Sequence, residues 1–176
     1  MLLDEPVGEA PVGDEPAAEE LAAAVVATFR AAGRTLALAE SCTGGLIAGT
    51  LTGVAGASAV LERGWVTYSN RAKIEELGVD AAGLEAHGAV SAETAAAMAA
   101  GALGHAPVDV ALSVTGIAGP DGGSADKPVG LVWFGLARRG GGPPRLDRQL
   151  FAGDRAAVRR AAIRRGLELL LEGAGA

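Results

Sequence analysis

What the chain lacks narrows it first. It has one cysteine, Cys42, so no disulfide can close within it, and a zinc site of the several-cysteine kind is excluded. The two histidines, His87 and His105, stand too far apart to share a metal by local spacing. Three Phe, two Trp and one Tyr are the only aromatics, too few for the stacking platforms that grip single-stranded nucleic acid. No apolar run is long enough to cross a membrane. The start of the chain has no basic stretch ahead of an apolar core, so it does not read as a secretory signal, and the cytoplasm is the expected location.

Positive charge is missing from the first 29 residues, which hold seven acids (Asp4, Glu5, Glu9, Asp14, Glu15, Glu19, Glu20) and no Lys or Arg. The formal charge of -6 therefore belongs to that segment. The remaining 14 acids face all 15 basic residues, a net of +1. A near-neutral body argues against a nucleic-acid partner.

The 176 residues that are present suit one domain with a sizeable core. Residues 1–16 mix Pro, Gly and acids without periodicity and read as a disordered acidic tail. The domain is expected over 17–176. A helix is expected from Ala17 to Ala32, with Leu21, Val25, Thr28 and Phe29 on one face and Gly33 after its end. Thr35 to Ala39 reads as a buried strand and Leu46 to Leu51 as a packed helix. Val60 to Tyr68 reads as a strand, followed by a helix over Arg71 to Leu77 that either Ser69 or Asn70 can cap. Ser91 caps an Ala-rich helix. Val108–Val114 and Val129–Ala137 are strands, Leu146–Phe151 completes a hairpin, and Asp154 caps a last helix, Arg155 to Glu172. Strands and helices largely alternate. That predicts an α/β domain of three layers with a mixed, mostly parallel sheet.

Three polar loops follow strands, at 40–45, 68–73 and 115–127, where ligands collect in open α/β sheets. In the first, Ser41 and Thr43 stand where a strand opens into a helix, beside backbone N–H groups able to hold an anion or a developing oxyanion. Gly44 and Gly45 remove side chains from that approach. The plain alternative is an ordinary strand-to-helix turn with a hydroxyl cap. In the second, Lys73 falls at the third helical position if Asn70 is the cap. A cation is unfavourable there, and the field and desolvation lower its pKa. A neutral lysine can deprotonate a serine; the plain alternative is a solvated surface lysine. The third loop is glycine-rich with Thr115, Ser124 and Lys127, and matches neither the P-loop nor the dinucleotide fingerprint. In the last helix Arg155 and Arg159 sit in early turns, where cations oppose the dipole. Arg138, Arg139, Arg145 and Arg148 read as solvated.

Five segments taken together, Ala39-Glu-Ser-Cys-Thr-Gly-Gly45, Val66-Thr-Tyr-Ser-Asn-Arg-Ala-Lys73, Gly88-Ala-Val-Ser91, Thr115-Gly-Ile-Ala-Gly-Pro-Asp-Gly-Gly123 and Lys127-Pro-Val-Gly130, resemble the CinA C-terminal-domain family. The resemblance spans roughly residues 17–172. It implies an α/β/α sandwich, and its enzymatic members are nicotinamide-nucleotide amidohydrolases. It therefore implies hydrolysis of the carboxamide of nicotinamide mononucleotide, with Ser41 as nucleophile, Lys73 as its base and Tyr68 orienting the lysine or substrate. The residues expected against the substrate are Glu40, Thr43, Gly44, Gly45, Asn70, Thr115, Gly116, Gly119, Gly122, Gly123, Lys127 and Arg155. The third loop and Arg155 are expected to hold ribose and phosphate. No metal and no organic cofactor is called for. The expected partners are a small-molecule nucleotide and a second copy of the chain, as a dimer, with no nucleic acid and no membrane. The alternative from another class is a catalytically silent nucleotide-binding or assembly module of the same fold.

Overall fold

The computed structural model describes residues 17–174. The expected acidic tail, residues 1–16, lies outside them. The elements run α1 (Ala18–Ala31), β1 (Leu36–Glu40), α2 (Leu46–Thr52), β2 (Leu61–Val66), α3 (Asn70–Leu77), α4 (Ala81–His87), α5 (Ala92–His105), β3 (Val110–Gly116), β4 (Leu131–Arg138), β5 (Arg145–Leu150) and α6 (Arg155–Ala174). The five strands lie in the order β2-β1-β3-β4-β5. β2, β1 and β3 are parallel neighbours, while β4 runs antiparallel to both β3 and β5. Four strands thus point one way and β4 the other, the mixed sheet the element order predicts.

Helices α1, α2 and α6 cover one face of the sheet, and α3, α4 and α5 cover the other. The larger core joins Val25 and Phe29 of α1, Ile47 and Leu51 of α2, and Leu167 and Leu170 of α6 to Leu38, Leu112 and Phe134 of the sheet. On the opposite face Leu77, Leu84 and Met98 pack on Ala39 and Ala111. β1 and most of β3 are buried on both faces, which is why they read as continuous apolar runs without alternation. Close contact is set by missing side chains on α6. A Cβ on Gly166 would stand 2.8 Å from Ile47 and 3.2 Å from Leu112, and one on Gly173 would stand 3.0 Å from Leu136. No helix of the described residues is long and apolar enough to cross a membrane.

Side-chain caps mark the helix starts that the sequence signals. Ser91 accepts from Thr94 N and Asp154 from Ala157 N, each through its side chain. Ser69, not Asn70, caps α3 by accepting from Ala72 N at 3.0 Å, which moves Lys73 to the fourth helical position. The arginines expected in solvent are partly engaged. The Arg139 guanidinium closes on Leu103 O, Ala106 O and Val108 O at 2.6–2.8 Å. Arg145 pairs with Glu172 at 2.6 Å. Carbonyls at the end of a helix lack partners of their own, and a planar fork of donors satisfies several at once.

Candidate active site

Register brings the three polar loops together. Glu40 lies level with Val66 of β2 and Val114 of β3, so the chain leaves all three parallel strands at one edge. Ser41 N donates to Val114 O, and Thr67 N donates to Glu40 O, which pins the first two loops to the ladder. The cleft between them, about 190 Å³, is lined by Ser41, Cys42, Tyr68, Lys73, Ala89, Val90, Thr115, Gly116, Ala118 and Arg155. This is the carboxyl-end position at which open α/β sheets bind ligands. A wider cleft of about 790 Å³ between α1, β5 and α6 contains neither Ser41 nor Lys73.

Lys73 rises from α3 with only 1% of its surface exposed. Its Nζ lies 3.0 Å from Ser41 Oγ and donates to Thr67 O at 2.7 Å. Burial holds the Lys73 ammonium below the usual lysine pKa; only a charged Cys42 sulfur would act the other way. Because Ser69 caps the helix one residue earlier than Asn70 would, burial and not the helix terminus is the main cause. Cys42, beside Ser41, packs into the apolar core, and burial pushes its thiol up to about 12. A hydroxyl thus stands against a buried amine, while the thiol beside it is held protonated.

Glu40 is turned away from the cleft. Its side chain accepts from Thr43 Oγ1 (2.6 Å), Gly45 N (3.1 Å), Ile47 N (3.1 Å) and Ala48 N (2.8 Å). These are the open N–H groups of α2, so the anion site expected at this helix start is filled by the chain's own carboxylate. Glu40 and Thr43, expected against substrate, instead build the turn that carries Ser41. Gly44 and Gly45 have φ of 64° and 91°. Their missing Cβ atoms allow this left-handed turn, and neither glycine lines the cleft. Among the described residues, the N–H groups of Cys42 and Thr43 donate to no oxygen, and that of Cys42 faces its own sulfur.

The outer wall is built by arginines. Arg155, at the start of α6, donates to Tyr68 OH at 3.0 Å and to Gly119 O at 3.0 Å, bridging the second and third loops. Tyr68 is therefore tied to Arg155 and not to Lys73. Arg159, one turn on, donates to Cys42 O and Thr43 O; its place in an early helical turn was the only sequence signal for it. A second cavity of about 500 Å³ shares Ala118 and Arg155 with the first and adds Asp154, Arg159 and Val129.

The remaining expected contacts divide. Thr115 and Gly116 line the cleft, with Thr115 Oγ1 donating to Ala89 O at 2.7 Å. Gly119 borders it through Arg155. Asn70, Gly122 and Gly123 are exposed and outside its lining. Lys127 Nζ donates to His87 O, so it latches the loop carrying Ala89 and Val90. Those two residues, with Ala118, are apolar wall positions that no chemistry in the sequence flags. The described residues contain no group of His, Cys, Asp and Glu fit to hold a metal.

The fold and the cleft define the class: an α/β/α domain whose candidate site sets a serine against a buried lysine at the carboxyl edge of three parallel strands. Within that class, the chain belongs to the CinA C-terminal domain family, whose model matches residues 18–173. It is 56% identical over 133 residues, 76% of this chain and 80% of the other, to nicotinamide-nucleotide amidohydrolase PncC of Enterobacter agglomerans. It is 54% identical over 142 residues, 80% of this chain and 85% of the other, to the protein of that name in Escherichia coli strain K12. A CinA-like protein of Geobacter sulfurreducens is 59% identical over 77% of this chain, which matches 32% of that longer protein. Among solved structures, a competence/damage inducible protein of Agrobacterium tumefaciens superposes with a TM-score of 0.87 at 46% identity, over 90% of this chain and 96% of that one.

Proposed function

We propose that this protein hydrolyses the carboxamide of nicotinamide mononucleotide, giving nicotinate mononucleotide and ammonia. The observation that carries the reading is the 3.0 Å approach of Ser41 Oγ to a lysine nitrogen whose charge is disfavoured by burial. The names of the amidohydrolase relatives supply the substrate.

In this reading neutral Lys73 takes the proton of Ser41 as Oγ attacks the carboxamide carbon. The N–H groups of Cys42 and Thr43 receive the oxyanion, because those of Gly45, Ile47 and Ala48 are already bound to Glu40. Protonated Lys73 passes its proton to the amide nitrogen, which leaves as ammonia from a Ser41 ester. Water, deprotonated by Lys73, then attacks the ester; Ser41 regains its proton and the acid departs. The small cleft suits the pyridine ring with its carboxamide. Ribose and phosphate extend toward the second cavity, where Arg155 and Arg159 supply positive charge.

The test is ammonia release from nicotinamide mononucleotide, with nicotinate mononucleotide formed in equal amount. Turnover that disappears in Ser41→Ala supports the reading. A folded parent protein that releases no more ammonia than Ser41→Ala rejects it in favour of a silent binding module.

A further inference from the structure

Thr67 sits where β2 gives way to the second loop. Its N–H donates to Glu40 O at 2.9 Å, and its carbonyl accepts from Lys73 Nζ at 2.7 Å. Its own hydroxyl has no partner. Thr67 is 1% exposed, and Oγ1 is the one buried side-chain polar atom left unpaired among the described residues. Burying a hydroxyl unpaired destabilises a fold. Nothing in the packing requires it here, since valine has nearly the same shape. By strand alternation Thr67 follows Trp65 onto the face covered by α3 and α5, the side from which Lys73 enters. Oγ1 thus belongs to the residue whose carbonyl holds Nζ, on the side from which the lysine enters, although no hydrogen bond joins Oγ1 to Nζ in this structure.

We infer that the Thr67 hydroxyl is a positioning residue that stabilises Lys73 in its protonated state. The inference rests on the Ser41–Lys73 reading above. The neutral amine has two N–H groups and a lone pair; one N–H serves Thr67 O and the lone pair faces Ser41. Taking the Ser41 proton turns that lone pair into an N–H aimed back at Ser41 and puts a positive charge where burial disfavours it, while the second N–H has no acceptor among the described residues. Thr67 Oγ1 accepts from the ammonium, and hydrogen bonds to charged donors are the stronger kind. The uncharged amine's N–H is a weaker donor, and leaving it unpaired costs less. The contact therefore strengthens as the reaction proceeds, which is the condition for lowering a barrier. The other titratable groups near the lysine are Cys42, Tyr68 and Arg155 on the cleft wall, with Glu40 and Arg159 behind the turn. Among the described residues, the hydrogen-bond partners of Nζ are Ser41 Oγ and Thr67 O.

Thr67→Val, Thr67→Ser and Lys73→Arg are assayed beside the parent for ammonia release across pH. Thr67→Val should lower kcat about tenfold, the scale of one hydrogen bond to a charged group, with KM nearly unchanged. Its acid limb should move to lower pH, because the ammonium has lost stabilisation and gives up its proton more readily. Its Tm should equal or exceed the parent's. Thr67→Ser should restore kcat and limb. Parental kcat and limb in Thr67→Val overturn the inference, as does a loss in Thr67→Ser equal to that in Thr67→Val, which would mark methyl packing. Thr67→Ala carries the same readings should valine not fold. An inactive Lys73→Arg beside a parental Thr67→Val overturns this inference alone; a fully active Lys73→Arg overturns the reading beneath it as well.

Discussion

Glu40→Gln keeps the size and shape of a side chain that is 1% exposed and accepts four hydrogen bonds. One of its two terminal atoms must become an NH₂. Placed at the Oε2 position, the NH₂ opposes three donors, so the better rotamer turns it toward Ala48 N. Two donors then face each other in a buried place, at a cost of about 1–3 kcal/mol. The three bonds that survive lose their charge assistance, which adds roughly 1 kcal/mol. The sum, about 3 kcal/mol, corresponds to a fall in Tm of roughly 6–12 °C for a domain of this size. Calorimetry or thermal circular dichroism reads it directly. Because Glu40 builds the turn under Ser41 and does not face the cleft, kcat should fall while KM for nicotinamide mononucleotide stays near the parent's. An unchanged Tm together with a raised KM would refute the reasoning and return Glu40 to the substrate.

Lys73→Arg keeps a positive charge but cannot act as a base near neutrality, and should lower kcat by at least about 10²-fold. In the parent, activity should rise with pH as the ammonium loses its proton, with an acid limb below the ordinary lysine range because burial disfavours the charge; a profile flat through that range contradicts this. Cys42→Ala should retain most turnover, since the thiol is held protonated, whereas Ser41→Ala should retain none; the reverse pattern in folded proteins would reassign the nucleophile. Arg139→Ala releases three carbonyls and should lower Tm through a loss of about 1–3 kcal/mol, without changing kcat. An unmoved Tm would mean water replaces the guanidinium at no cost.

Elements with strong local signals were legible in the sequence. Ser91 and Asp154 announce their helices through caps, and β1 and β3 announce burial through unbroken apolar runs. The pairing of Ser41 with Lys73 was legible because Lys73 falls in an early helical turn that disfavours a cation, and because the family resemblance joins the two residues. Partner choice was less legible. Glu40 reads equally well as a ligand or a cap, and only the turn of the chain shows that its oxygens meet N–H groups five to eight residues ahead. Lys127 reads as a substrate contact and Arg139 as solvated in one dimension, because the carbonyls they reach lie 40 and some 30 residues away. Ala89, Val90 and Ala118 carry no chemistry of their own, and shape alone makes them a wall.

Helix α6 bears the two arginines of the outer wall at its start and Gly166 in its middle, seven residues and about 10 Å beyond Arg159. At Gly166 the helix rests on Ile47 and Leu112 with no room for a methyl group. The seat of the helix and the position of the arginines are thus one variable measured at two places. A larger residue at 166 lifts the backbone there and carries Arg155 and Arg159 away from the carbonyls of Gly119, Cys42 and Thr43. Chains with identical cleft linings can therefore differ in where this arginine wall stands. The record of that difference lies at a buried glycine that no ligand touches.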